Sequence, residues 1–234
     1  MAGRQGSARR AGVLLTLRAE AAALVQQGWL IASDCLRSSS QRIENAERVV
    51  VFVHGFMAHG AVFAPMRAHV EAATHLPTVN FTYNSFEDFS SVAERLASRV
   101  AELSGPGGRP VSLVGHSLGG LLARFIAHEL DARAVIDRIV TLAAPNQGTE
   151  RVRGLPLGPM ARAMKPESDV VRRLDNVRSK VPCVAVVAGS DWLCTPPMSA
   201  ASIEGADVVW FENLGHNAML FDERVFEVVT KALR

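Results

Sequence analysis

The stretch RPVSLVGHSLGGLLAR, Arg109 to Arg124, decides the fold, because its pattern changes halfway along. Val111 to Val114 is a short apolar run of the kind shown by a strand buried on both faces. Leu118, Leu121, Leu122, Phe125 and Ile126 then recur at helical spacing. Between the two lies Gly115-His116-Ser117-Leu118-Gly119, a G-x-S-x-G sequence. Strand, sharp turn with glycines flanking a serine, then helix is the setting of a nucleophile elbow. Side chains at Gly115 and Gly119 would collide with the neighbouring strand and helix. The turn also lifts the Ser117 hydroxyl clear of the sheet, at the positive end of the helix dipole. The pentapeptide alone occurs by chance; in this setting it outweighs an ordinary βα turn.

Outward from the elbow, short apolar runs alternate with helical stretches. The strand candidates are Val49 to Val53, Val79 to Tyr83, Val111 to Val114, Ile139 to Leu142, Cys183 to Ala188 and Val208 to Phe211. The helical candidates are Phe63 to Ala73, Phe89 to Leu103, Leu118 to Leu130 and Glu223 to Leu233. Such alternation implies crossover connections and an α/β fold, with a mainly parallel six-stranded sheet and helices on both faces. A sheet of this kind places ligands at the carboxyl ends of its strands, where Ser117 falls.

Residues 1–40 read as an amino-terminal tail and helix, and 41–234 as the α/β domain. Val13 to Ile31 is predicted helical, with Leu14, Leu17, Ala21, Leu24, Gly28 and Ile31 along one face packed on the domain. Arg18 and Glu20 interrupt the apolar region too early for a signal peptide. Peripheral membrane contact through this helix is the alternative to packing. The segment 146–180 is too long for a simple connection and reads as a cap or lid, with short helices at Met160 to Met164 and Ser168 to Leu174. Its many basic residues read first as a solvated face.

The chain has 234 residues, 48% hydrophobic and 21% charged, which suits one globular unit with a full core. A net charge of +2 gives no reason to expect nucleic-acid binding. No apolar run reaches the ~20 residues that span a bilayer. The three cysteines, Cys35, Cys183 and Cys194, have neither zinc-site nor disulfide-framework spacing. So sparse a set suits a reducing compartment, and the expected location is cytoplasmic.

A serine nucleophile needs a base, the base an orienting acid, and the oxyanion needs donors. Asp191 follows directly on the run Cys183 to Ala188, so a turn after a parallel strand delivers its carboxylate to the correct edge. A turn aspartate capping backbone N–H groups is the competing reading. Asp175, inside the cap, and Asp222, after the base, are weaker candidates. His216 lies in the loop beyond the last strand, which gives the chain order Ser, Asp, His. Of the seven histidines, His59, His69, His75 and His128 read as structural or exposed. His116 is expected to point away from Ser117 across the elbow. The oxyanion donors are the amides of Leu118, after the serine, and Phe56, where Gly55 lets the chain turn after Val49 to Val53.

With these residues in place, the chain resembles the α/β-hydrolases, close to bacterial lipases and esterases and to GPI-inositol-deacylase-like proteins. The matching pieces are VFVHGF, VGHSLGG, TLAAPNQGT, AGSDWLCTP and NLGHNAM. By this resemblance the nucleophile is Ser117, the acid Asp191, the base His216, and the oxyanion donors the Phe56 and Leu118 amides. It also implies strand order 4-3-5-6-7-8 in the family's naming. Asn146 departs from the histidine that many lipases carry there. No metal or cofactor is implied. The expected activity is cleavage of a small-molecule or lipid carboxylic ester, with Phe56, Met57, Leu155, Leu157, Met160 and Met219 as candidate acyl-pocket residues. A thioesterase or acyltransferase using the same three residues is the alternative, and a non-catalytic binding protein of the same fold the third reading.

Overall fold

Five consecutive apolar residues, Val49–Val53, require burial on both faces, and all five are fully buried in strand β1. The computed structural model describes residues 15–30, 43, 46–154, 158–175 and 177–234. Alternate side chains of a strand point to opposite faces, so β1 serves two cores. Val49, Val51 and Val53 pack with α3 (Phe89–Ser104) and α4 (Leu118–Glu129). Val50 and Phe52 pack with α2 (Ala64–Thr74) and α8 (Glu223–Leu233).

The remaining strands are β2 (Thr78–Phe81), β3 (Val111–His116), β4 (Ile136–Leu142), β5 (Cys183–Ala188) and β6 (Asp207–Phe211). Their order is β2-β1-β3-β4-β5-β6 and every pairing is parallel. Counted from β1 as the third strand of the family, this is the order that the resemblance implies. The register pairs Val53 with Gly115, and Ala188 with Phe211. The last rungs of four strands therefore stand directly below the loops that carry the candidate residues.

Four strands differ from their sequence reading. β2, β4 and β6 begin earlier, at Thr78, Ile136 and Asp207. β3 and β2 end differently for a shared reason, the extent of the partner. β3 runs two residues further, to His116, because Gly115 and His116 still pair with Thr141 and Leu142 of β4. β2 stops at Phe81, which pairs with Val53, the last residue of β1. Tyr83 is thereby released from the ladder.

The amino-terminal helix α1 (residues 15–30) presents a different face from the one predicted. Leu17 and Leu24 are 55% and 52% exposed, whereas Glu20, Ala23 and Gln27 are buried. Leu14 and Ile31 lie outside the described residues. A polar contact, not an apolar stripe, holds this helix down: the Glu20 carboxylate accepts three hydrogen bonds from Asn217 and Ala218. No helix of the described residues is long and apolar enough to cross a membrane.

Within 146–180 the described residues form a 3-10 turn at Glu150–Val152, α5 (Gly158–Ala163) and α6 (Asp169–Leu174). Met160, Met164 and Leu174 are buried against the α3–α4 core. Arg124 of α4, 2% exposed, donates to Asn146 Oδ1 and to the Leu174 carbonyl, each at 2.9 Å. Asn146 thus has a structural task, and its own Nδ2 donates to the Ala200 carbonyl. Several of the outer basic side chains pair with carboxylates, as Arg153 does with Glu150 and Glu167. Such exposed pairs contribute little to stability. Between β5 and β6 lies the short helix α7 (Met198–Ala201).

Candidate active site

Ser117 sits at φ 53°, ψ −122°, a left-handed conformation that non-glycine residues rarely adopt. Its N–H donates to the Leu142 carbonyl at 2.8 Å, and its own carbonyl accepts from Gly120 N–H at 2.9 Å. A Cβ on Gly115 would lie 2.4 Å from the Gly119 carbonyl oxygen, and one on Gly119 would lie 2.1 Å from that of Val53. No side chain fits at either position. The strained turn is therefore enforced from below by β1 and from above by α4.

Asp191, in the turn after β5, uses both carboxylate oxygens. Oδ1 accepts from the amides of Leu193 and Cys194 at 2.7 and 2.8 Å. Oδ2 lies 2.6 Å from His216 Nδ1, with both side chains buried. The two sequence readings of Asp191, turn cap and imidazole partner, are thus compatible. A carboxylate only accepts, so Nδ1 carries the proton and Nε2 of the neutral ring is left as the basic nitrogen. Ser117 and His216 line one cavity of about 290 Å³. The alternative acids are occupied elsewhere. Asp175 accepts from Gln147 Nε2, while Asp222 caps α8 and pairs with Arg224.

His116 lies beside the candidate base. Its ring turns onto His216, centroid to centroid 4.7 Å, and its Nε2 lies 3.0 Å from the His216 carbonyl oxygen. Nε2–H therefore donates, and burial together with the adjacent His216 ring holds the His116 pKa well below the ordinary histidine value.

The loop His54–Met57 is pinned from beneath. His54 Nδ1–H donates to the Gly55 carbonyl at 2.9 Å, and Nε2 accepts from Tyr83 N–H at 3.2 Å. The Tyr83 hydroxyl donates to the His54 carbonyl at 2.8 Å, and the two rings stack 4.2 Å apart. The Met57 amide donates to Ser85 Oγ. A Cβ on Gly55 would lie 3.1 Å from Ser117 Cβ, which shows how closely this loop abuts the elbow. Tyr83 and Ser85 were not anticipated: a tyrosine ending an apolar run gives no sign that it serves a loop from a neighbouring strand.

Burial lowers the His54 pKa from 6.5 to about 4. Because protonation is disfavoured in the folded state, this group's contribution is full above pH 6.5 and is lost as pH falls toward 4. The expected loss is on the order of 3 kcal/mol, and His116 acts in the same direction. The carboxylates held low by arginine hydrogen bonds, such as Asp169 and Asp222, lose theirs only below about pH 4. The urea midpoint should therefore already fall between pH 6.5 and 5. A midpoint constant across that interval would contradict a neutral buried His54.

The cavity wall is mostly apolar. Phe56 and Met57 line it as expected, joined by Leu24, Val152, Met164 and Leu193. Met160 and Met219, predicted as pocket residues, are instead fully buried in the two main cores, on opposite faces of the sheet. Leu155 and Leu157 lie outside the described residues. Among the described residues no group of three or more His, Cys, Asp or Glu is placed to hold a metal ion.

The sequence profile described as the alpha/beta hydrolase family matches residues 50–177. No curated protein matches the chain. Among solved structures, Aspergillus fumigatus lipase B is similar at 17% identity and TM-score 0.72, over 84% of this chain and 55% of that one. The chain thus spans about half the length of that lipase. The mature form of a Bacillus licheniformis lipase is similar at 13% identity and TM-score 0.65, over 84% and 96%. The thioesterase RedJ of the prodiginine pathway in Streptomyces coelicolor is similar at 16% identity and TM-score 0.60, over 86% and 93%. At such identities these likenesses speak for the fold.

Proposed function

The chain belongs to the alpha/beta hydrolase family, and from that premise we propose that it hydrolyses carboxylic esters through an acyl-enzyme on Ser117. The observation that carries the reading is the buried 2.6 Å contact between Asp191 and His216, in the cavity that Ser117 also lines.

In this reading His216 Nε2 takes the Ser117 proton as Oγ attacks the ester carbonyl carbon. The carbonyl π electrons move to oxygen, which the Phe56 and Leu118 amides stabilise. Asp191 fixes the imidazole tautomer and stabilises the imidazolium. Collapse of the tetrahedral intermediate expels the alkoxide, which takes the proton from His216. Water, deprotonated by the same nitrogen, then attacks the acyl-enzyme. Collapse of this second tetrahedral intermediate breaks the acyl–Oγ bond, releases the acid and returns the proton from His216 to Ser117 Oγ. The apolar wall suits an acyl chain, since burying each methylene contributes roughly 0.8 kcal/mol.

A fluorophosphonate probe should label the wild-type protein at Ser117, and a panel of p-nitrophenyl esters of increasing acyl length should be hydrolysed. A protein that the probe does not label, and that hydrolyses no ester, would refute the reading. The same three residues also suit thioester cleavage or acyl transfer. A higher kcat/KM on thioesters than on matched oxyesters, or ester formation with an added alcohol, would replace hydrolysis of oxyesters by that second reading.

A further inference from the structure

We propose that Glu20, on α1, is a positioning residue for the base: its carboxylate fixes the loop that carries His216. The proposal rests on the reading of His216 as general base. Glu20 is 4% exposed, an unusual state for a carboxylate on a helix whose Leu17, Val25 and Trp29 face outward. Its Oε1 accepts from the amides of Asn217 and Ala218, both at 2.8 Å, and Oε2 accepts from Asn217 Nδ2 at 3.0 Å. Two turns further along α1, Gln27 Nε2 donates to Asn217 Oδ1 at 3.2 Å. On the other side of the histidine, a Cβ on Gly215 would stand 2.4 Å from Glu20 Oε1, so the carboxylate reaches its place only because residue 215 is glycine.

Residue 216 is thus held at three distinct points. Asp191 grips the ring, His116 grips the carbonyl, and Glu20 grips the two amides that follow. Buried carboxylates carry a large desolvation penalty unless their oxygens are satisfied. If α1 served only to cover the domain, its apolar side would face inward. It turns its polar side onto the base loop instead. The helix also lies outside residues 50–177, which match the family profile. The device therefore comes from a part of this chain beyond the matched region.

The test compares wild type, Glu20→Ala, Glu20→Gln and, as a control on the outward face, Val25→Ser. Glu20→Ala should lower kcat about 100-fold on a soluble ester, the scale of a misplaced catalytic group, with KM within about threefold. Glu20→Gln keeps an oxygen for the two backbone amides and should recover activity to within about fivefold of wild type, since one polar contact is altered. Val25→Ser should match wild type. The low-field proton resonance of the His216–Asp191 hydrogen bond supplies a readout without substrate. It should persist in wild type and Glu20→Gln, and broaden or vanish in Glu20→Ala.

Wild-type kcat and an unchanged resonance in Glu20→Ala would overturn the proposal, as would equal losses in the alanine and glutamine variants. If Glu20→Ala does not fold, Glu20→Asp draws the oxygens back by one methylene while keeping the charge. A loss of kcat of at least about tenfold at constant KM then supports the proposal, and wild-type kcat refutes it. Failure of wild type both to take the fluorophosphonate and to hydrolyse any ester would remove the hydrolase reading, whereas the proton resonance would still decide whether Glu20 orders the loop.

Discussion

Ser117→Ala should reduce kcat/KM for p-nitrophenyl butyrate by about 10⁴-fold or more, leaving only what oxyanion donors and binding supply on their own. The substitution isolates chemistry from folding. Alanine meets the same left-handed backbone at φ 53° that serine meets, and the anchoring bonds, from Ser117 N–H to Leu142 and from Gly120 N–H to residue 117, involve only main chain. The melting temperature should therefore stay near that of wild type, and probe labelling should disappear. Purified Ser117→Ala with wild-type turnover would remove Ser117 from the mechanism altogether.

Asp191→Asn should be nearly as damaging, about 10³- to 10⁴-fold in kcat, at little cost in stability. Asparagine keeps Oδ1, so it still accepts from the Leu193 and Cys194 amides and the turn after β5 survives. Its amide nitrogen would face His216 Nδ1 and donate, which forces the proton to Nε2 and removes the base. Asp191→Ala loses the turn cap as well and should melt lower, by roughly 1–2 kcal/mol. The pair separates Asp191's two tasks. Asparagine activity within tenfold of wild type would show that the carboxylate does not set the tautomer.

Much of this was legible before any coordinates, and the reasons are physical. β1, β5 and α8 match their sequence reading residue for residue, because unbroken apolar runs and a full amphipathic repeat leave no alternative boundary. The elbow was legible because steric exclusion at Gly115 and Gly119 imprints itself directly on the sequence. What stayed hidden depends on contacts distant in the chain. Leu17 and Leu24 mark an apolar stripe on α1, yet the carboxylate of Glu20 finds its partners 197 residues away and reverses the face. His116 looks like a bystander until the loop of His216 folds over it. Met160 and Met219 differ in nothing local from Met164, which lines the cavity.

The alignment of rungs in the sheet bears on where this chain tolerates change in length. Val53 sits opposite Gly115, and Ala188 opposite Phe211, so the spacing between the candidate groups is inherited from ladders whose side chains are committed to particular faces. Dropping or adding one residue inside β1 or β5 would invert every side chain beyond the change and shift one half of the site against the other. The glycine-rich turn Gly105–Gly108 lies at the opposite edge of the sheet, before β3 begins, and touches none of this. Insertions, reporter groups or attachment points belong at that far edge.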